Sequence, residues 1–183
     1  SLFMATISLT VYGPLLMYII FGAEPLISGY IIALESLGWT ILAVITSGVK
    51  EHIELRLIRM GAFLVSISTL GLIFAMTSGP LWLIALLSYS MGMGFGMSWS
   101  FVSKRIIASV PEDERVQASG SIPTFMRMSM ALGAAISGII ANFSGFSESS
   151  SVFIARNVAF WCFAAFIPLL LVGLFFAWRI SRD

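Results

Sequence analysis

The chain has 183 residues, of which 58% are hydrophobic and only 10% are charged, and its formal net charge is +1. Soluble proteins are about 45–50% apolar and about 25% charged, so polar surface is too scarce here to cover a water-facing globule. The composition argues against a soluble fold, and without a basic excess we expect no nucleic-acid partner. A single Cys and a single His exclude a disulfide framework and a Cys/His metal site, and we expect no cofactor.

Six apolar stretches follow one another along the chain, each long enough to cross a lipid bilayer. A transmembrane helix needs about 20 predominantly apolar residues, with a rise of about 1.5 Å for each. The stretches cover residues 2–22, 26–47, 58–76, 80–102, 118–142 and 157–178. We therefore predict an all-α membrane protein in which residues 1–183 form a single six-helix bundle surrounded by lipid.

Basic residues are unevenly distributed among the segments that separate these spans. The second and fourth separators and the C-terminal tail together hold eight Lys or Arg residues, whereas the other separators hold only Arg156. Basic loops stay on the cytoplasmic side, so both termini are expected there, in a multi-pass protein of the cell membrane. Spans one to three then run opposite to spans four to six, as two inverted three-helix repeats, an arrangement common in secondary transporters.

The segment after the second span resembles the loop signature of major facilitator superfamily transporters, written G-x-x-D-R-x-G-x-R. Gly48 and Arg56 match the signature, and Glu51 replaces its Asp conservatively. His52 stands in place of the Arg and Glu54 in place of the Gly. The resemblance implies that Gly48, Glu51 and Arg56 belong to a cytoplasmic gating loop.

Two further segments, 22–30 and 118–133, are similar to parts of the drug:proton antiporter branch of this superfamily, especially its fourteen-helix members. The order of features resembles the C-terminal six-helix half of such a transporter. The resemblance implies proton-coupled efflux of small hydrophobic or amphipathic compounds. It also implies a partner bundle, which is either a missing N-terminal six-helix half or a second copy of the chain.

Glu35 is the candidate for proton coupling. It lies ten residues after Pro25, about 15 Å along the second span and near the bilayer centre. A carboxylate there costs about 2.5–3.5 kcal/mol, so it needs a water-filled cavity, a partner or a proton. Such a group suits proton uptake and release in each transport cycle. A structural carboxylate, hydrogen-bonded to a neighbouring helix, is the open alternative.

Arg127 lies at a similar depth on the fifth span, ten residues after Gln117. A guanidinium group stays charged at any accessible pH, so it cannot be the titrating group. We expect it to contact an anionic substrate or to pair with a carboxylate such as Glu35. Small residues share its helix face and permit close packing, so a purely structural cation stays open as well.

Several other side chains at helical spacing are candidates for the lining of a substrate cavity. On the fourth span, Gly92 and Gly96 form a G-x-x-x-G pattern that lets helix backbones approach closely. Aromatic side chains beside it could contact hydrophobic ligands. The candidates are Ser28, Trp39, Tyr12, Ser88, Phe95, Trp99 and Asn142. Plain helix packing is the alternative for this whole set.

Other functional classes fit the sequence less well. A membrane serine protease needs a His base within the membrane, but His52 lies in a loop, and neither a zinc-protease motif nor a pair of intramembrane carboxylates is present. We expect no enzyme. Alternating access needs two bundles, and six helices supply one. A transport-inactive membrane scaffold or a remnant half-transporter therefore stays open.

Overall fold

The computed structural model describes residues 2–146 and 151–180, and within these ranges the chain is helical throughout, with short turns and no strands. The helices are α1 (Leu2–Phe21), α2 (Pro25–Thr46), α3 (Glu51–Ser78), α4 (Leu81–Ala108), α5 (Arg115–Phe143), α6 (Val152–Ala164) and α7 (Ile167–Ile180). They provide six helical spans long and apolar enough to cross a membrane, the sixth formed by α6 and α7 together. The architecture is the predicted all-α one and is compatible with a multi-pass membrane protein.

The helices end where the local sequence requires it. Gly22 has a positive φ of 66°, and its N–H donates to the carbonyl oxygen of Tyr18 as α1 ends. Pro25 then begins α2. Proline is favoured at the first position of a helix, because the N–H there has no partner within the helix and the fixed φ of proline is already helical. At the other end of the bundle, α3 starts at Glu51 and α4 continues to Ala108. Both helices extend beyond the apolar stretches 58–76 and 80–102, because hydropathy marks the apolar part of a helix and not its ends.

The sixth span is interrupted between α6 and α7. The Ala165 N–H still donates to the carbonyl oxygen of Trp161, four residues back, as in a regular helix. The Phe166 N–H instead donates to the carbonyl oxygen of Phe163, three residues back, in a tighter turn. Pro168 removes one further helical hydrogen bond here, since it has no N–H to donate to the Ala164 carbonyl group. Proline alone does not break a helix in this chain, because Pro14 and Pro123 lie inside the continuous helices α1 and α5. The uninterrupted stretch 157–178 contains two shorter helices.

Three glycines on α4 allow its backbone to touch two neighbouring helices. A Cβ atom at Gly92 or Gly96 would collide with a carbonyl oxygen of α2, and one at Gly94 would collide with the Gly61 carbonyl oxygen of α3. Because α-helical residues two positions apart point in nearly opposite directions, Gly92 and Gly96 lie on the side of α4 that contacts α2, and Gly94 lies on the side that contacts α3. Helix α4 is thus packed closely between α2 and α3.

A buried polar network joins α1, α5 and α6 on the other side of the bundle. The Ser8 hydroxyl donates to the Cys162 carbonyl oxygen at 2.8 Å and lies 2.8 Å from the Ser137 hydroxyl. The Ser137 hydroxyl is also within bonding distance of the Gly133 carbonyl oxygen. These three helices are therefore held together by hydrogen bonds as well as by apolar packing.

Two of the spans are much less buried than the rest. Only 17% of the residues in the most apolar parts of α2 and α5 are buried, compared with 39% to 50% in the other four spans. Each of these two helices contacts α1 and α4, and within the described residues they make little or no contact with each other. Helices α2 and α5, on either side of α1 and α4, therefore form an incompletely covered face of the bundle.

Candidate functional site

Four aromatic rings from three helices meet in the core of the bundle, beside the start of α1. Phe3 of α1 stacks on Phe95 of α4 with ring centroids 4.6 Å apart, and it meets Trp99 edge-on at 4.7 Å. Trp39 of α2 stacks on Phe95 at 5.4 Å. We call these four residues the aromatic cluster. Such contacts contribute about 0.5–1.5 kcal/mol per pair beyond simple burial, so the cluster holds α1, α2 and α4 in register.

A cavity of about 190 Å³ lies beside the aromatic cluster. Phe3, Phe95 and Trp99 form one wall, and α3 and α7 supply most of the rest. The lining is mainly apolar, with Ser98 as its one hydroxyl group among the described residues. Ligand pockets usually measure about 300–1,000 Å³, so this cavity alone accommodates only a small apolar group.

The sequence identified part of the aromatic cluster. Trp39, Phe95 and Trp99 are brought together in it, and the latter two line the cavity. Phe3 was missed, although it contacts the other three rings. No signal marks Phe3, because almost every position of the first span is apolar and the pattern does not show which side faces inward.

Glu35 lies on α2, one helical turn before Trp39, and its side chain is partly buried. Its backbone carbonyl oxygen packs against Gly92 of α4. Its carboxyl group forms no ion pair or side-chain hydrogen bond with any described residue. It is not among the residues that line the cavity of the aromatic cluster. The side chain therefore borders the incompletely covered face without an internal partner among these residues.

Arg127 lies on α5, and its side chain is exposed. Like Glu35, it has no ion pair or side-chain hydrogen bond within the described part of the chain. The structure thus does not join the two charges to each other, which fits their positions on helices that barely touch. The expected pairing of Arg127 with Glu35 is absent from this arrangement, and contact with a substrate or with another bundle stays a prediction.

The remaining cavity candidates are dispersed. Ser28 and Ser88 are fully buried, and the Ser88 hydroxyl donates to the Ile84 carbonyl oxygen of its own helix at 2.7 Å. The Tyr12 side chain of α1 approaches Gly138 of α5. Asn142 is exposed at the end of α5 and takes part in a contact there. None of these four lines the cavity beside the aromatic cluster.

The proposed gating loop lies at the end of the bundle where α3 begins and α4 ends, which we call the basic end. Gly48 is in the turn before α3, whereas Glu51 and Arg56 are exposed on its first two turns. The strongest contact here involves Glu54, whose nearly buried carboxylate accepts a hydrogen bond from the Lys104 ammonium group at 2.7 Å.

In the sequence, Glu54 departs from the loop signature, and nothing in the signature predicts its pairing with Lys104. The two residues are 50 positions apart, so helical periodicity carries no information about their contact. The sequence does contain a pattern that indicates a buried acid here. Glu54 is spaced at helical intervals from Ile58, Gly61 and Val65, and all four residues are buried on one face of α3. An acid on such a face needs a cationic partner from another helix.

Comparisons with known proteins gave no match: no protein-family model, no curated protein and no solved structure is similar to the chain. Within the described ranges, no three His, Cys, Asp or Glu side chains converge as a metal site would require.

Proposed function

We propose that the chain is the C-terminal six-helix half of a major facilitator transporter that exports small hydrophobic or amphipathic compounds in exchange for protons. One observation carries this proposal. Glu35 and Arg127, the charged residues that lie deepest within spans, are on α2 and α5, the two least buried spans. Both helices flank α1 and α4, which supply three of the four rings in the aromatic cluster.

The energetics of a bilayer support a second bundle on this face. A charged side chain in contact with hydrocarbon costs about 3 kcal/mol or more, so Glu35 and Arg127 need water or protein beside them. A second bundle would cover both charges. That bundle is either the N-terminal half of the transporter or a second copy of this chain.

The arrangement in the cell forms part of the same proposal. The uneven distribution of Lys and Arg supports a chain that crosses the cell membrane six times, with both termini and the basic end in the cytoplasm. The two three-helix halves would then be inverted repeats, and the substrate would bind near the middle of the bilayer.

Each candidate residue has a role in the proposed cycle. Glu35 takes up a proton from one side and releases it to the other as the substrate leaves. Arg127 contacts an anionic group of the substrate or of the second bundle. Phe95 and Trp99 contact the apolar part of the substrate. Gly48, Glu51 and Arg56, together with the Glu54–Lys104 pair, control access at the basic end.

Proton-driven transport by the intact protein tests this proposal. Everted membrane vesicles that contain it are energised with a proton gradient, and ethidium uptake and the accompanying proton movement are followed by fluorescence. We expect Glu35→Gln to abolish coupled transport while the protein is still inserted in the membrane. Glu24→Gln is the matched control, because Glu24 is an exposed acid at the start of the same helix.

Two outcomes would contradict the proposal. Undiminished coupled transport by Glu35→Gln would eliminate Glu35 as the proton carrier. A fully inserted protein that moves neither dye nor protons, across a panel of hydrophobic compounds, would favour a transport-inactive scaffold or a remnant half-transporter instead.

A further inference from the structure

A second feature, a groove of about 510 Å³, lies between α3 and α7 at the basic end. These helices make little or no described contact with α2 or α5, so the groove lies away from the face proposed for a second bundle. Met60, Phe63, Phe175 and Trp178 line it, and each is between 49% and 60% exposed. The groove therefore presents open apolar walls to whatever surrounds the protein at this position.

Among the described residues of its lining, the groove has one cation. Arg59 belongs to its lining, and the described lining residues include no acid. Arg59 is eight residues beyond the start of α3, about 12 Å along the helix. The residues before it include Glu51, Glu54 and Arg56, whereas the rest of α3 after Arg59 has no charged residue. Arg59 thus marks the level at which α3 changes from polar to apolar.

Trp178 lies at the same level on α7, two residues before that helix ends at Ile180. Tryptophan is enriched at the boundary between lipid headgroups and hydrocarbon, where its ring is apolar and its N–H can bond. Arg59 and Trp178 each take part in a contact within the protein. A guanidinium group has five N–H donors and can bind a phosphate beside another partner.

From this juxtaposition of one cation, one interfacial Trp and an open apolar groove, we infer that the groove binds an anionic phospholipid. The phosphate lies against Arg59, and an acyl chain follows Met60, Phe63 and Phe175 towards the middle of the bundle. Charge complementarity selects an anionic headgroup, and the apolar walls select a lipid over free phosphate. The inference depends on the membrane embedding proposed above and not on transport.

Native mass spectrometry of the delipidated protein in detergent tests this inference. The protein is titrated separately with dioleoyl phosphatidylglycerol, which is anionic, and with dioleoyl phosphatidylcholine, which is zwitterionic. We expect the protein to bind phosphatidylglycerol in preference, and Arg59→Gln to weaken that binding about tenfold, the loss expected for one charge-assisted contact. Arg59→Lys should retain part of the preference, because it keeps the charge without the planar donors.

Matched variants separate this site from general attraction at the basic end. Arg115→Gln removes an exposed cation at the start of α5, outside the groove, and should leave the lipid preference unchanged. Trp178→Ala should weaken phosphatidylglycerol binding, whereas Trp82→Ala, at an exposed Trp at the start of α4, should not. Equal binding of the two lipids, or an Arg59→Gln protein that binds like the unmodified one, would overturn the inference. Displacement of the lipid by millimolar inorganic phosphate would show a simple phosphate site and would overturn it too.

Discussion

The backbone carbonyl oxygen of Glu35 packs against Gly92 so closely that no side chain fits at position 92. One turn further along, the carbonyl oxygen of Trp39 packs against Gly96 in the same way. These two contacts set the height and the rotation of α2 relative to α4. They therefore position the Glu35 carboxyl group relative to the aromatic cluster, so the glycine pattern and the candidate site form one structural unit.

Substitution of Gly92 by Ala should destabilise the bundle. The added methyl group would overlap the Glu35 carbonyl oxygen and also lie 2.9 Å from the Glu35 Cα atom, which forces α2 and α4 apart. Overpacking of this kind costs about 1–3 kcal/mol. We expect a lower midpoint of thermal unfolding in detergent, measured by circular dichroism.

Gly120→Ala is the control for this substitution. A Cβ atom at Gly120 in α5 meets nothing within 4 Å. Because Ala has a higher helix propensity than Gly by about 1 kcal/mol, this variant should be as stable as the unmodified protein or slightly more stable. If the Gly92→Ala and Gly120→Ala variants unfolded at the same temperature, that result would contradict the close approach of α2 and α4 at Gly92.

Features that depend on local sequence could be predicted, whereas most contacts between distant helices could not. The six apolar stretches and the Gly92–Gly96 pattern follow from composition and spacing alone, and the described residues contain six helical spans and a close α2–α4 contact. The Ser8–Ser137 contact could not be foreseen, because a Ser in an apolar helix commonly bonds to its own backbone, as Ser66 and Ser88 do here.

The Ser8–Ser137 contact should show energetic coupling between α1 and α5. In a double-mutant cycle, Ser8→Ala and Ser137→Ala together should cost less than the sum of the two single changes, because each removes the same hydrogen bond. Couplings between membrane helices average about 0.6 kcal/mol and reach about 1.7 kcal/mol. The coupling energy is obtained from the unfolding free energies of the four proteins of the cycle, measured in mixed micelles.

Ser66→Ala serves as the reference for that cycle. Its hydroxyl is buried but donates to the Ala62 carbonyl oxygen within α3, so it should show no coupling with Ser8→Ala. A thiol reagent gives a second measurement, since Cys162 is fully buried and Ser8 binds its carbonyl group. Ser8→Ala should speed the reaction of Cys162. An unchanged rate together with zero coupling would show that the network contributes no stability.

The Glu54–Lys104 pair should respond asymmetrically to the loss of either partner. Lys104→Ala leaves the Glu54 carboxylate, only 7% exposed, without its cation. Glu54→Gln removes the charge that needs compensation, so it should cost less. We expect Lys104→Ala to lower the unfolding free energy by about 1–3 kcal/mol, the usual penalty for an unsatisfied buried group. Glu51→Gln, at an exposed residue beside the pair, should be nearly neutral. A larger loss for Glu54→Gln than for Lys104→Ala would contradict this account.

The aromatic cluster should contribute to the binding of hydrophobic compounds by the intact protein. Trp99→Ala removes one wall of the cavity and an edge-on contact with Phe3. An aromatic contact is worth about 0.5–1.5 kcal/mol, so ethidium should bind up to about tenfold more weakly, as measured by fluorescence titration. Trp82→Ala changes an exposed Trp far from the cavity and should bind ethidium normally. Equal ethidium affinities for the two variants would show that the aromatic cluster is not part of the substrate site.

Arg127 provides a direct test of whether water or a second bundle lies beside α5. Phe125 is at almost the same depth, but two helical positions place it on nearly the opposite side, and both side chains are exposed in the isolated bundle. If Arg127 faces an aqueous cavity and Phe125 faces lipid, a membrane-impermeant maleimide should label Arg127→Cys in the intact protein and leave Phe125→Cys unmodified. The buried Cys162 should contribute little background. Rapid labelling at both positions would mean that this part of α5 is surrounded by water. Labelling at neither would mean that Arg127 is shielded by protein or lipid, and an open cavity beside it would then be wrong.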